Sequence, residues 1–510
     1  MAKEGSGPAA PDWKAGRSPV NAGAPWPEPK VAKERVLGIQ RKLHKWAQDD
    51  QQRRFKDLHN LVCDPATLMV AWTRVRANRG SRSAGVDGQS AAYVEKVLGV
   101  ERFLSGLREE LRSGSYRPAP VKERKIPKRG GKLRRLGIAT LRDRVVQVAL
   151  KLVAEPIFEV DFEPCSYGFR PGRRAQDAIA EVHFLTSRSY EWVVEADVEA
   201  CFDRLSHVAI MDGVRARIAD RRVLGLVKAF LKAGIMSEHG GLEAQLTGTP
   251  QGGILSPLMS NIALSALDQH FTRAWEEMGD TTERKKRRRH GKANYRLVRY
   301  ADDFVVCVAG DRCHAEALVA EIEHVVRPLG LALSAEKTRV THIDEGIEFL
   351  GWRIKRQRGR DHRPHVYTYP SKRSLAAVMA KVKKITRSDY NQPFGQLLHR
   401  LNPVLRGWCA YFRGGVSSRT FNYLRAYVWR RVVRWLRRKH RKASWRWLRR
   451  HYLPGWWPTH GTTVLFNPGA VRTTRYRYRG KSIPTPWEQG TLAMREPALP
   501  LERLEGLVAR

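Results

Sequence analysis

Asp302 and Asp303 stand side by side in Arg299-Tyr300-Ala301-Asp302-Asp303-Phe304, between two short apolar runs. Leu297 and Val298 lead in and Phe304 to Val308 lead out, so the stretch reads as a β-hairpin whose tight turn carries both acids. Adjacent carboxylates repel each other and destabilise a turn unless a cation is held there. Asp-Asp is otherwise common turn chemistry, and a third acid in a similar setting shifts the balance. Asp197 ends the apolar strand Glu191-Trp192-Val193-Val194-Glu195-Ala196-Asp197. If the two strands are neighbours, three carboxylates converge at one sheet edge, as two-metal phosphoryl chemistry requires. One ion lowers the pKa of an attacking hydroxyl and the other stabilises the leaving oxygens, with the ions about 3.5 to 4 Å apart.

The flanking segments supply further candidate contacts. Lys125-Ile126-Pro127-Lys128-Arg129-Gly130-Gly131-Lys132-Leu133-Arg134 sets two strands around a Gly-Gly turn, a hairpin whose cations can fold over a triphosphate. Arg142 to Phe158 has helical spacing, with Val145, Val148, Leu152 and Val153 on one face. Gly248 to Leu258 is a glycine-broken loop entering a helix, and bare glycine amides and helix N-termini suit phosphates and bases.

The chain carries 93 Lys plus Arg against 51 Asp plus Glu, a formal charge of +42 over 510 residues. That imbalance along a folded chain points to a polyanionic partner, nucleic acid above all. No apolar run approaches the ~20 residues of a spanning helix, and the first residues lack the apolar core of a signal peptide. A soluble protein of the cytoplasm, with no membrane partner, is expected. Cys63, Cys165, Cys201, Cys307, Cys313 and Cys409 form no Cys-x-x-Cys pair, which argues against structural zinc and a disulfide framework.

Five ordered blocks carry a resemblance that covers most of the chain. Tyr167-Gly168-Phe169-Arg170-Pro171-Gly172-Arg173, Asp197 to Asp203, Gly248 to Leu258, Tyr300 to Phe304 and Phe349-Leu350-Gly351-Trp352 resemble successive blocks of bacterial group II intron reverse transcriptase/maturases. The resemblance implies an α+β right-hand polymerase fold, with fingers and an antiparallel palm sheet followed by a helical thumb/maturase region. It implies an RNA-directed DNA polymerase using two Mg²⁺ ions and dNTPs, with Asp197, Asp302 and Asp303 catalytic and metal-holding and Val198 a further metal contact. Lys128, Arg134, Phe202 and Gln251 become the nucleotide contacts, Phe202 as the ring under the sugar that excludes a 2′-hydroxyl. Arg135 and Ala139 stand where the family usually has proline, so the choice among neighbouring fingers cations shifts by a residue or two. Phe349, Leu350 and Gly351 resemble the hairpin that grips the primer end.

Partners follow from the same resemblance: group II intron RNA, template RNA, and a DNA primer or target, with monomer and dimer both open. Arg79 and Arg82 lie in a glycine-rich loop similar to one that covers the template, and with Arg170 and Arg173 they are taken as RNA contacts. The basic run Glu283 to Lys292 is either a solvated charge run or an RNA-contacting insertion. Beyond about Ser371, Phe421, Leu424, Val428, Val432 and Trp435 recur at helical spacing, with Arg425, Arg430, Arg434, Arg437 and Arg438 largely elsewhere on the wheel. Asn402 to Phe412 resembles a maturase signature, so Arg406, Arg430 and Arg434 are expected to meet RNA.

The expected organisation is an unstructured arm over 1–35, an N-terminal extension over 36–115 and fingers and palm over 116–365. A thumb/maturase region over 366–455 and a basic aromatic, DNA-binding-like tail over 456–510 complete it, with no endonuclease domain. Two alternatives stay open: a splicing-only RNA-binding maturase, and a domesticated reverse transcriptase serving defence or repair.

Overall fold

The computed structural model describes residues 26–127, 133–237, 240–359, 361–480 and 482–488. Helix α1 (Pro29–Asp49) begins inside the stretch expected to be an unstructured arm. Proline fits a first helical turn, and Ala32, Val36, Leu43 and Ala47 give α1 a buried face. It leads into α2 (His59–Val62), α3 (Pro65–Ala77), α4 (Ala91–Tyr93) and α5 (Val100–Ser113). The fingers hairpin is β1 (Val121–Pro127) and β2 (Leu133–Ile138), antiparallel with Ile126 opposite Arg134. Its turn, including Lys128, falls outside the described residues.

Helix α6 (Leu141–Phe158) is buried on nearly every side, not on one face alone. Thr140 caps it by accepting from the Asp143 amide, and α1 and α3 pack against it. Helix α7 (Ala175–Thr186) precedes β3 (Trp192–Asp197). Then follow α8 (Cys201–Arg204), α9 (His207–Arg217), α10 (Arg221–Leu231), β4 (Ile235–Met236) and β5 (Leu242–Glu243), the last two extending the fingers sheet in the order β2-β1-β4-β5.

The palm is built on α11 (Ser256–Glu277), α12 (Thr281–Arg289), β6 (Asn294–Tyr300), β7 (Asp303–Ala309), α13 (Arg312–Val326) and β8 (Arg339–His342). The basic run is thus mostly the helix α12, begun by a capping box between Asp280 and Glu283. The palm sheet runs β6-β7-β3-β8 with every neighbour antiparallel. Successive residues of a strand face opposite sides, and here both sides are covered. Val194, Ala196, Phe304, Val306 and Val308 join the core shared with the N-terminal helices. Val193, Val305, Cys307 and Ala309 join the core shared with the C-terminal helices. That is why β7 reads as an unbroken apolar run.

A second sheet, ordered β11-β10-β9, comprises β9 (Ile347–Phe349), β10 (Trp352–Arg358) and β11 (Pro364–Pro370). The C-terminal region is helical: α14 (Lys372–Ile385), α15 (Phe394–Phe412), α16 (Ser418–Lys439) and α17 (Trp445–Tyr452). On α16 the five apolar residues singled out above are buried and the five arginines are exposed, so one face packs and the other is cationic.

Candidate active site

The register of the palm sheet places the acids. Asp197 is the direct partner of Asp303 across β3 and β7, and Tyr300 is the partner of Asp303 across β6 and β7. Directly opposed residues of an antiparallel pair have Cα atoms about 4.5 to 5.5 Å apart and side chains on one face. Asp302 occupies the two-residue turn between them. Ala301, the other turn residue, has φ of 60°, a conformation costing a non-glycine residue roughly 1 to 2 kcal/mol.

Three contacts hold that turn. The Arg299 guanidinium is fully buried and donates to the Ala301 carbonyl at 2.8 Å, to Asn261 Oδ1 at 2.9 Å and to Ser166 Oγ at 2.7 Å. It is paired with fully buried Asp268 at 2.5 and 2.6 Å. The Tyr167 amide donates to the Arg299 carbonyl at 2.8 Å, which lays the Tyr167-Gly168 segment along the strand. Gly168 is required there, because a Cβ at this position would sit 2.3 Å from the Ala301 nitrogen.

The electrostatics of the acids are unfavourable without a cation. Burial first, then the charges of Asp302 and Asp197, push the Asp303 carboxyl up from 3.8 to about 7, against the pull of Lys337 and Arg373. The Asp303 side chain is nevertheless exposed at the cleft. Asp302 is also raised, by burial and by Asp197, and Arg134 and Arg299 pull it down. Asp197 accepts from Lys337 Nζ at 2.7 Å. Among the described residues no three His, Cys, Asp or Glu side chains form a ready cage for a metal. Mg²⁺ keeps several waters and takes one or two carboxylates plus substrate phosphates. An all-oxygen set with surplus negative charge therefore fits Mg²⁺ without a closed cage.

Asp197, Asp303, Lys337, Arg339, Phe349, Leu350, Gly351 and Arg373 all line one cleft of about 1200 Å³ between the palm and the C-terminal helices. Leu350 and Gly351 both have positive φ, forming the tight β9–β10 turn, and the Leu350 carbonyl accepts from Tyr411 Oη at 2.9 Å. On the fingers side, Arg134 Nε donates to Gln251 Oε1 at 2.8 Å, and the Gly137 amide donates to the Gln251 carbonyl. Arg135 pairs with Glu123 and Glu243, and among the described residues of the hairpin Arg134 is a cation whose charge acts on Asp302. Phe202 lies in α8, its carbonyl taken by the Thr249 amide at 2.6 Å. Gly248, at φ +77°, lets the loop press there, since a Cβ would lie 2.4 Å from that same oxygen.

Comparison with known proteins bears on this arrangement. Residues 126–354 match the reverse transcriptase (RNA-dependent DNA polymerase) family, and residues 375–453 match the group II intron maturase-specific domain. Protein YkfC of Escherichia coli K12 is 37% identical over 374 residues, covering 68% of this chain and 97% of YkfC. The chain belongs to the group II intron-encoded reverse transcriptases. The group II intron-encoded protein LtrA of Lactococcus lactis subsp. cremoris is 29% identical over 376 residues, 63% of this chain, and the match spans 60% of LtrA. A telomerase from Candida albicans, solved with a fragment of telomeric RNA, is similar over 67% of this chain and 63% of its own, at 15% identity and a TM-score of 0.35, too loose a likeness to build on.

Not every expected contact of this reverse transcriptase stands where it was sought. Arg170 and Arg173 are corrected from RNA contacts to interior residues, 4% and 8% exposed. The Arg170 guanidinium pairs with buried Glu159 at 2.8 Å and donates to the carbonyls of Glu163 and Ser166. Arg173 donates to the Pro164 carbonyl at 3.0 Å. The donors of Arg170 are thereby committed inside the protein, and Arg173 is withdrawn by burial. Arg79 and Arg82 are exposed on a short 3₁₀ turn that Arg144 pins through the carbonyls of Gly80 and Ser83, both at 2.7 Å. Arg406, Arg430 and Arg434 are exposed. Val198 is buried just past the end of β3, bridged to Leu333. Lys337, inside Ser334-Ala335-Glu336-Lys337-Thr338, is a site residue that reading the sequence missed; its signal was a lone lysine in the turn before a strand that pairs with β3.

No helix among the described residues is long and apolar enough to cross a membrane. Five of the six cysteines are buried and Cys313 is exposed.

Proposed function

We propose that this chain copies RNA into DNA at the end of the palm sheet, with Asp197, Asp302 and Asp303 holding two Mg²⁺ ions and Val198 contributing beside them. The observation that carries the reading is the strand register that sets Asp197 opposite Asp303 with Asp302 in the adjoining turn. When bound, the ions would lower the pKa of a primer 3′-hydroxyl and offset charge on the α-phosphate of a dNTP, with pyrophosphate leaving. Lys337 shields Asp197 and has to swing aside for a cation to share that carboxylate. Arg134 and Gln251 receive the triphosphate from the fingers side, with Lys128 a further candidate outside the described residues. Phe202 supports the sugar and discriminates against a 2′-hydroxyl. Phe349, Leu350 and Gly351 line the primer side of the cleft.

The RNA partner is the chain's own group II intron RNA, held by exposed cations such as Arg79, Arg82, Arg406, Arg430 and Arg434. Holding it in a splicing-competent fold is the maturase role, and copying it serves intron mobility in the cytoplasm. Primer extension on poly(rA)/oligo(dT) with Mg²⁺ tests the polymerase reading. Asp302→Ala should cost at least ~1000-fold in rate, as loss of a metal ligand does, with RNA binding kept. Equal activity in the two proteins refutes it.

A splicing-only RNA-binding maturase is the second reading. The ammonium of Lys337 on Asp197 favours it, since a permanent cation there would replace a metal. Wild-type protein inactive in primer extension yet able to promote splicing would decide for it.

A further inference from the structure

The C-terminal segment after residue 470 lies beyond the matched maturase domain, and its composition suggested a DNA-binding element. Its described residues, 471–480 and 482–488, are laid across the molecule. The Thr474 amide donates to the Arg413 carbonyl at 2.9 Å and the Tyr476 amide to the Gly414 carbonyl at 3.2 Å, both at the end of α15. Farther on, Thr485 meets His44 of α1 at 3.5 Å, and the rings of Trp487 and His44 are 5.5 Å apart. Among these described residues, Arg475 and Arg477 are exposed, while Tyr476, Tyr478 and Arg479 are half-buried.

The half-buried residues end on two buried acids of α7. Arg479 makes a two-pronged pair with Asp177 at 2.8 and 2.9 Å, the same carboxylate that accepts the Arg174 amide in the helix's capping box. Tyr478 Oη donates to Glu181 Oε1 at 3.1 Å, and its ring lies 4.7 Å from that of Phe184. Glu181 is 1% exposed and also accepts from Tyr167 Oη at 2.5 Å and from Arg296 Nε at 2.7 Å. Both of those donors belong to the support of the catalytic turn. Arg296 is in β6, and Tyr167 adjoins Gly168, whose backbone touches Ala301.

We propose that Tyr478 is a positioning residue for the catalytic hairpin, acting through Glu181, and that the described residues 471–480 and 482–488 clasp the palm to α1 and α15. The inference rests on the polymerase reading of Asp197, Asp302 and Asp303. A loss of the Tyr478 hydroxyl frees one lone pair of Glu181, lets Tyr167 and Arg296 shift, and loosens the hairpin.

The test is a double-mutant cycle in the full chain, read by primer extension. Tyr478→Phe should lower kcat about threefold to tenfold, the size of couplings within one hydrogen-bond network, and leave the dNTP KM within about twofold. Glu181→Gln should lower kcat as much or more, and the double variant should be no worse than Glu181→Gln alone. Unchanged kcat in Tyr478→Phe, or losses that multiply in the double variant, overturns the proposal. Hydrogen exchange at amides 297–303 gives a readout that needs no activity: faster exchange in Tyr478→Phe supports the clasp, and identical exchange overturns it. Wild-type protein without polymerase activity refutes the polymerase reading by itself, and the exchange experiment still decides the role of Tyr478.

Discussion

Replacing Arg299 by Met removes a guanidinium that serves both the fold and the Asp302–Asp303 turn. The side chain and its partner Asp268 are each 0% exposed, so Asp268 would be left in the interior with both of its guanidinium contacts gone. Breaking a buried pair in this way costs about 3 to 5 kcal/mol. Asn261 Oδ1, Ser166 Oγ and the Ala301 carbonyl also lose a donor, each worth about 1 kcal/mol and not additive with the first loss. Against a total stability on the order of 5 to 15 kcal/mol, the variant should unfold at distinctly lower denaturant. The informative comparison is with Arg299→Met/Asp268→Asn. If an orphaned charge dominates, the double variant regains roughly half of the loss. Urea unfolding followed by tryptophan fluorescence measures both. A double variant no more stable than the single one would refute the charge argument and leave packing as the cause. Primer extension adds a second reading, because the Ala301 carbonyl loses its anchor in both variants. Activity should therefore stay low in the double variant even where stability returns.

The raised Asp303 carboxyl gives a pH signature. Between about pH 4 and about pH 7 the native protein keeps a proton that the unfolded chain has released, so cation-free stability falls as pH rises through that window and levels off above it. Mg²⁺ competes with that proton, so its gain in melting temperature should be larger at about pH 8 than at about pH 6; an equal gain at both argues against a metal at Asp303. Phe202→Ala should raise ribonucleotide incorporation relative to deoxynucleotides on the order of tenfold or more in single-nucleotide extension, and unchanged selectivity removes the ring's role. Arg430→Ala/Arg434→Ala should weaken RNA binding and flatten its log–log salt dependence by about 0.7 per lost phosphate contact, whereas an unaltered slope puts the RNA elsewhere.

The acids and the fold class were legible because they depend on local pattern. The apolar run through β7 and the strand ending at Asp197 dictate a sheet buried on both sides, and the register then has little freedom. The same holds on α16, where helical spacing separates a buried face from an arginine face. Arg170 and Arg173 were misread because an arginine's type does not tell whether its donors meet phosphate or the chain's own carbonyls. The deciding partner, Glu159, comes from a different segment and is buried with them. Lys337 and the Tyr478–Glu181 contact escaped for a related reason: each joins positions far apart in sequence, 140 residues for Lys337 and Asp197 and 297 for Tyr478 and Glu181. Composition reports the charge of such residues and says nothing of who neutralises it. The start of α1 at Pro29 was hidden by the high Pro, Gly and Ala content before it, although proline is well suited to a helix's first turn.

The Ala301–Asp302 turn combines two unfavourable features, an alanine in left-handed conformation and clustered carboxylates, and neither would persist in a free hairpin. What over-determines it is buried structure on every side: the Arg299 donor to Ala301, the Gly168 backbone against the turn, and β3 zipped to β7 up to Asp197 itself. Glycine at 301 would relieve the backbone cost of roughly 1 kcal/mol, but it would also widen the range of turn conformations and so the spread of Asp302 relative to Asp197. Alanine accepts the strain in exchange for a narrower geometry. The same reasoning explains why the supports are buried charges and not surface ones. Solvent screening would make an exposed Arg299 pair weak and mobile, whereas a dry guanidinium with all its partners fixed holds the Ala301 carbonyl in one place.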